Sequence, residues 1–410
     1  MSTVPRVVKN ALRPIVISAL TTWERMESGV AYNPTSDSVR NNPYEIYAEL
    51  RSKDPIHRMR LINAWVLTRY EDVDMVLRDH RRFSNHDDQD REYRSMLFLD
   101  PPDHTRLRSL VSKAFTPRSV AELEPKIQSL VQELLDNIEG KDSFDLISDF
   151  AFPLPVTVIA EMLGVPAQDI DRFRDWSNDI ALSVEPTLDD EQTRRMEESF
   201  LELLDYLEDI IERRQREPRE DMITALLNVE AEGDRLSRDD LLATLTLLLV
   251  AGNETTRNFI GNGMLALLKH PDQLQRLRDN PHMLDSALNE LLRYDSPVQM
   301  DQRMVYEDVE IDGNRIQAGQ RVINAIGAAN RDPAVFANPD ELDIGRREKS
   351  HLSFGRGIHY CLGSPLAMLE GRAAFSALLD RFPSIKLVAE PEFREQVVLR
   401  GVEELWVEVE

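Results

Sequence analysis

Apolar residues recur three and four positions apart over long stretches of the chain, at 120–138, 198–214, 238–269 and 274–294. Each stretch would bury one face as a helix. Alternation with period two, the mark of a half-buried strand, is confined to 56–69, 303–323 and the tail at 385–410. In the second of these, the run from Val309 to Ile316 turns at Asp312 and Gly313, a pair suited to a two-residue hairpin. No repeat, low-complexity tract or Gly/Ser linker divides the chain. The expectation is a mainly α fold with small β-sheets, a single domain over 1–410, with 1–30 an N-terminal arm or surface helix.

Residues 241–251 carry no charge and are apolar around nearly the whole helical circumference, behind a cap at Ser237 with Asp240 three positions on. Such a helix belongs in a core, and its apolar part is too short for a bilayer. Near the N-terminus a short apolar run, 15–20, follows Lys9 and Arg13 as a signal peptide would, but Pro14 precedes it and no small-residue cleavage site follows. No membrane span is expected anywhere.

Charge narrows the function classes. With 73 acidic against 49 basic residues and a formal charge of −24, the chain repels nucleic acid and anionic membranes. A single cysteine excludes an intrachain disulfide and fits a reducing cytoplasm. A lone cysteine is usually core filler, so its neighbours decide its role.

Those neighbours are Phe354-Gly355-Arg356-Gly357-Ile358-His359-Tyr360-Cys361-Leu362-Gly363, followed by Ser364-Pro365 and a helical pattern over 366–382. Gly355, Gly357 and Gly363 let backbone turn tightly and approach a flat macrocycle. Cys361 precedes a helix whose Pro365 suits the first turn, so the dipole and nearby amides are expected to lower the thiol pKa. Phe354 is placed to cover the sulfur. The pattern resembles the signature of the cytochrome P450 family, matching it at Phe354, Gly355, Gly357, His359, Cys361 and Gly363. The resemblance runs from about Asn42 to the C-terminus. It implies the cytochrome P450 fold, with haem b between the long central helix and the cysteine loop, and Cys361 as axial ligand of the iron.

Inside the central helix lies Ala251-Gly252-Asn253-Glu254-Thr255-Thr256. A buried acid is costly unless partnered or useful. Thr255 can bond back to the Ala251 carbonyl and widen the helix into a bulge beside Gly252 that receives dioxygen. A Glu254 and Thr255 pair with water suits the delivery of protons to dioxygen, and the resemblance gives the pair that role.

His104 and Arg108 lie four apart on one helical face and can hold a haem propionate. By resemblance, Arg303 and His359 complete these contacts, while Glu290, Arg293 and Arg346 form a structural ion network. By analogy the substrate meets Met96, Leu97, Leu247, Ala251, Val298, Gln299, Met300, Val398 and Leu399, a mostly apolar set that argues for a small hydrophobic or aromatic molecule.

The implied reaction inserts one oxygen atom of O2, by hydroxylation, dealkylation or epoxidation. Lacking a flavin or nicotinamide fingerprint, the chain needs electrons from a separate ferredoxin or flavodoxin with its reductase. Arg106, Lys113, Arg118, Arg356 and Arg372 are the candidate basic face for that partner. The family often carries Arg at the position of Met368 and Pro at that of Trp406, and the first departure leaves partner choice open. Two alternatives share the haem: a peroxide-driven peroxygenase, which needs no proton relay, and a haem gas sensor or carrier, which needs neither relay nor redox partner.

Overall fold

The computed structural model describes residues 6–86, 95–186, 188–230, 233–348 and 350–410. Its centre is the helix Arg238–Lys269, opened by a capping box in which Ser237 and Asp240 satisfy each other's backbone amides. Apolar residues on nearly every side of it are buried, as the uncharged run 241–251 requires.

Glycines let this helix meet its neighbours closely. A Cβ on Gly263 would stand 2.8 Å from Phe375, and one on Gly371 would stand 2.5 Å from Phe259. Both contacts join the central helix to the helix Ser364–Arg381 that follows the cysteine.

Two of the expected long helices are interrupted, one of them by proline. The 274–294 pattern divides into Pro271–Asp279, a 3-10 turn at Pro281–Met283 and Leu284–Tyr294. Pro281 lacks an amide donor and pushes Asn280 out of the helical region, and Asn280 has φ −136°. The 120–138 pattern becomes Pro117–Ala121 and Glu124–Ile138, with Pro125 inside the first turn of the second helix, where its missing amide is tolerated. The third helix extends beyond its pattern, over Asp190–Arg216.

The strand regions form β1 (Ile56–Met59), β2 (Ala64–Leu67), β3 (Phe83–Ser84), β4 (Ser143–Asp145), β5 (Asp301–Val305), β6 (Val309–Ile311), β7 (Asn314–Ile316), β8 (Arg321–Asn324), β9 (Ile385–Leu387) and β10 (Trp406–Val409). One sheet has the order β1-β2-β8-β5-β3, with only β2 and β8 parallel. A second has the order β4-β10-β9. The hairpin β6-β7 turns as expected, with Asp312 and Gly313 at φ 48° and 76°.

The N-terminal apolar run lies in a helix, Arg6–Ser28. Val16, Trp23 and Met26 face outward, while Glu24 is buried and accepts from the amides of Tyr32 and Arg60 at 3.1 and 2.6 Å. Residues 1–5, and the side chains of Lys9, Arg13 and Pro14 that entered the reading of this segment, lie outside the described residues.

On the cysteine helix, Glu370 is 1% exposed and its Oε2 has no hydrogen-bond partner. Burial pushes its pKa up to about 8. The unfolded chain releases this proton near the ordinary carboxyl range, so between there and pH 8 the folded state binds more protons and stability falls as pH rises. Glu370→Gln should therefore raise the unfolding midpoint of the haem-loaded protein by a few degrees at pH 8.5, about, and by much less at pH 5, roughly. Thermal melts at the two pH values check this.

Candidate functional site

The cysteine loop is closed by its own backbone: the Cys361 amide donates to the Phe354 carbonyl at 2.9 Å. Gly355 and Gly357 hold φ +68° and +66°, where side chains are strained, and a Cβ on Gly357 would stand 2.6 Å from the Leu77 carbonyl oxygen. Gly363 differs from expectation. Its φ is −80°, open to any residue, and a Cβ there would stand 3.9 Å from Cys361 Sγ.

The Phe354 ring packs on His351 and Tyr360, with centroids 5.7 and 6.4 Å apart. Cys361 is half-buried, and burial raises its thiol pKa, against the opposing pull of the Gly363 and Ser364 amides and of Arg108. The helix terminus acts on the sulfur in the expected direction, but desolvation outweighs it in the free thiol.

Above this loop the four expected propionate contacts converge in part. His104, on the helix Asp103–Ala114, and His359 have ring centroids 4.2 Å apart. His104 Nδ1 and His359 Nε2 are buried without hydrogen-bond partners. Burial, then the charge of Arg108, lowers the His104 pKa. Burial, then His104, Arg303 and Arg108, takes His359 down to about 3. Arg108 donates to the Tyr360 carbonyl at 2.6 Å. Arg303 already has partners within the chain: its Nη1 lies 2.6 Å from Asp301 Oδ2 and donates to the Gln302 carbonyl.

Among the described residues, two buried imidazole nitrogens lack partners beside two guanidiniums, an arrangement with room for further hydrogen-bonding oxygens of negative charge. The carboxylates of a haem would supply them. The residues present thus fit that group.

The central helix loses its cover along one strip. Ala251 is exposed in the middle of the buried segment, and Leu247, Leu248 and Thr255 are half-buried on the same side. Thr255 Oγ1 donates to the Ala251 carbonyl at 2.7 Å. No bulge results, because the segment is continuous α-helix. The smallness of Gly252 serves packing instead, since a Cβ there would stand 2.8 Å from Ile159.

Glu254 points elsewhere. It is fully buried, with Oε1 taking Arg257 at 3.1 Å, Asn258 at 3.4 Å and a close contact from Arg394 of the tail. Its Oε2 has no partner. The sequence reading missed both arginines. Arg257 was visible three positions on, but Arg394 lies far along the chain.

The expected structural network assembles as named. Glu290 receives Arg293 at 2.8 and 2.9 Å, Arg346 at 3.1 and 3.0 Å, and the Asp343 amide at 2.9 Å. Glu290 and Arg293 are buried on the helix Leu284–Tyr294, and Arg346 is 7% exposed.

Among the expected substrate contacts, Met96 is buried and Leu97 exposed at the turn Met96–Phe98. Val298 and Leu399 form a β-bridge, and Val398 is half-buried beside them. Two positions need correction. Gln299 spends its amide on the Tyr44 hydroxyl and the Ser296 carbonyl, and its side chain lies against Gly327. Met300 is buried in the cluster of Tyr32, Tyr47 and Met59.

The four arginines of the expected basic face each lie beside a carboxylate. Arg106 pairs with Asp240 at 2.8 Å, Arg118 with Glu122 at 3.1 Å, Arg356 with Asp74 at 3.4 Å and Arg372 with Asp285 at 2.9 Å. Lys113 donates to the Glu230 carbonyl.

A mainly helical fold with one cysteine on a glycine loop, beside buried histidines whose nitrogens lack partners, and a central helix opened along one strip point to a haem-thiolate class of protein. Comparison with known proteins agrees. The family model described as Cytochrome P450 matches residues 32–401. Cytochrome P450 CYP107DY1 of Priestia megaterium is 44% identical over 351 residues, covering 80% of this chain and 85% of that protein. The vitamin D(3) 25-hydroxylase of Pseudonocardia autotrophica is 42% identical over 378 residues, covering 88% and 92%. The solved structure of Bacillus subtilis PksS superimposes with a TM-score of 0.87 at 40% identity, covering 92% of this chain and 99% of that one. The chain belongs to the cytochrome P450 family: it is a haem-dependent monooxygenase whose cofactor is haem b. Among the described residues no helix is long and apolar enough to cross a membrane.

The two kinds of glycine in the loop should separate under mutation. Gly357→Ala, strained and blocked by backbone, should cost about 2 kcal/mol or more and lower haem retention. Gly363→Ala should leave stability within about 1 kcal/mol. Denaturant unfolding and haem content measured on both variants provide the check.

Proposed function

We propose that Cys361 is the thiolate ligand of the haem iron, that His104, Arg108, Arg303 and His359 hold its propionates, and that the enzyme oxidises a small hydrophobic or aromatic molecule. Electrons come from a separate ferredoxin or flavodoxin with its reductase. The chain works as a single domain, in the cytoplasm. The observation that carries the site assignment is the pair of buried, unpartnered nitrogens on His104 and His359, one of them two residues from the only cysteine. When bound, haem b supplies the activation of dioxygen, with electron donation from the thiolate.

The chain's own residues do the rest. The glycine loop brings backbone, rather than side chain, against the macrocycle. Loop backbone and Phe354 limit water near the sulfur, which sets the potential of the site. Leu247 and Ala251 offer an apolar wall to the substrate, with Met96, Leu97, Val298, Val398 and Leu399 around it. The name of the vitamin D(3) 25-hydroxylase relative supports an apolar substrate.

Thr255 presents its hydroxyl on the strip beside Ala251, and while it donates to the Ala251 carbonyl its oxygen is oriented to accept or relay a proton. Glu254 serves that hydroxyl only through its unpartnered Oε2, because Oε1 is held by Arg257, Arg394 and Asn258. That ion lock favours a second reading, a peroxide-driven peroxygenase, in which no relay is needed.

Reduced protein with carbon monoxide should show the red-shifted Soret band of thiolate ligation. A histidine-type band would remove the assignment of Cys361. Thr255→Ala, supplied with ferredoxin and reductase, should lose product at least about tenfold and release hydrogen peroxide in its place. Fast turnover on peroxide alone, undiminished in that variant, would put the peroxygenase first.

A further inference from the structure

The helix Ile170–Ala181 runs into a 3-10 turn at Leu182–Val184, and the residue that ends this turn is Glu185. Its side chain leaves its own segment for the tail. Glu185 Oε2 accepts from the Val397 amide at 2.8 Å, and Oε1 accepts from the amides of Val398 and Leu399 at 3.1 Å each. Three consecutive backbone donors thus share one carboxylate. Burial raises the Glu185 pKa, and the three amides and Arg394 oppose that rise.

The turn held in this way is tied on its other side to the 297–300 segment. The Gln299 amide donates to the Val398 carbonyl at 2.8 Å, the Arg400 amide donates to the Pro297 carbonyl at 2.7 Å, and Val298 bridges Leu399. The helix that delivers Glu185 is itself moored to the central helix, where Asn253 donates to Ser177 Oγ at 2.9 Å. The same tail carries Arg394 to Glu254. Residues 397–399 therefore stand between two carboxylate anchors, one at the turn and one at the central helix.

Three amides converging on a point need an anion with two oxygens. A neutral amide side chain offers one acceptor and brings two donors of its own against the same N–H groups.

We propose that Glu185 is a positioning residue of the substrate pocket: its carboxylate fixes the backbone of residues 397–399, and thereby the placement of Val398 and Leu399, which sets the size of molecule the pocket accepts. The inference rests on the reading of these two side chains as pocket wall. The contact joins the segment after one helix to a turn near the end of the chain, so displacement of either end is felt by the other. Glu185 touches no reacting atom and acts through the turn.

The test uses the haem-loaded full chain with Glu185→Gln, Glu185→Ala and Glu185→Asp. Amide hydrogen exchange over 395–400 should accelerate roughly tenfold or more in the Gln and Ala variants, with the helix Arg238–Lys269 unchanged. Binding of 1-alkylimidazoles from butyl to dodecyl, followed by the Soret shift of iron coordination, should lose its dependence on chain length. The affinity ratio between the best and worst member should fall roughly tenfold, and the Asp variant should recover part of it. The carbon monoxide band of each variant shows separately whether the thiolate site is intact. Its absence in the parent protein would overturn the haem-site reading, whereas an intact band with unchanged exchange, or with unchanged chain-length preference, would overturn the role of Glu185.

Discussion

Two buried imidazoles, each with a ring nitrogen that finds no partner among the described residues, constrain the structure around the cysteine loop. His104 and His359 stand with rings 4.2 Å apart, their free nitrogens unpartnered, near Arg108 and Arg303. Leaving polar atoms buried and unpaired costs free energy. Bound carboxylates at that point would offset part of it, so a ligand held there would add to the stability of the folded chain. The central helix and the cysteine helix are locked where Gly263 and Gly371 allow phenylalanines to approach, and Glu290 anchors Arg293 and Arg346 behind them.

Elements with local signatures were legible in the sequence. The central helix announced itself through its cap and its uncharged circumference, the hairpin β6-β7 through Asp312 and Gly313, and the cysteine loop through its glycine spacing. Helical periodicity alone runs past the break at Pro281, because an apolar rhythm continues across a proline that the backbone cannot follow.

What stayed hidden depends on groups far apart in the chain. Nothing near Glu254 names Arg394, and nothing near Glu185 names the amides of 397–399. The basic residues of the candidate partner face are scattered in sequence, and nothing beside them names the carboxylates that their arginines meet, one of which, Asp74, is shared with Arg78. Gln299 and Met300 show the same limit. Their segment borders the cavity, but their side chains pack toward Tyr44 and Tyr47. Position along a strand does not tell which face meets a ligand when both faces are covered.

The pairing of Glu254 with Arg394 also bears on the order in which the protein is made. Synthesis proceeds from the N-terminus, and segments fold as they emerge. The helix bearing Glu254 leaves the ribosome well before the tail that neutralises it, so for that interval a carboxylate destined for the interior has only Arg257 of its own helix as a counter-charge. Pairing of β10 with β4 and β9 must therefore wait for a segment made well after the helix that its neighbour Arg394 neutralises.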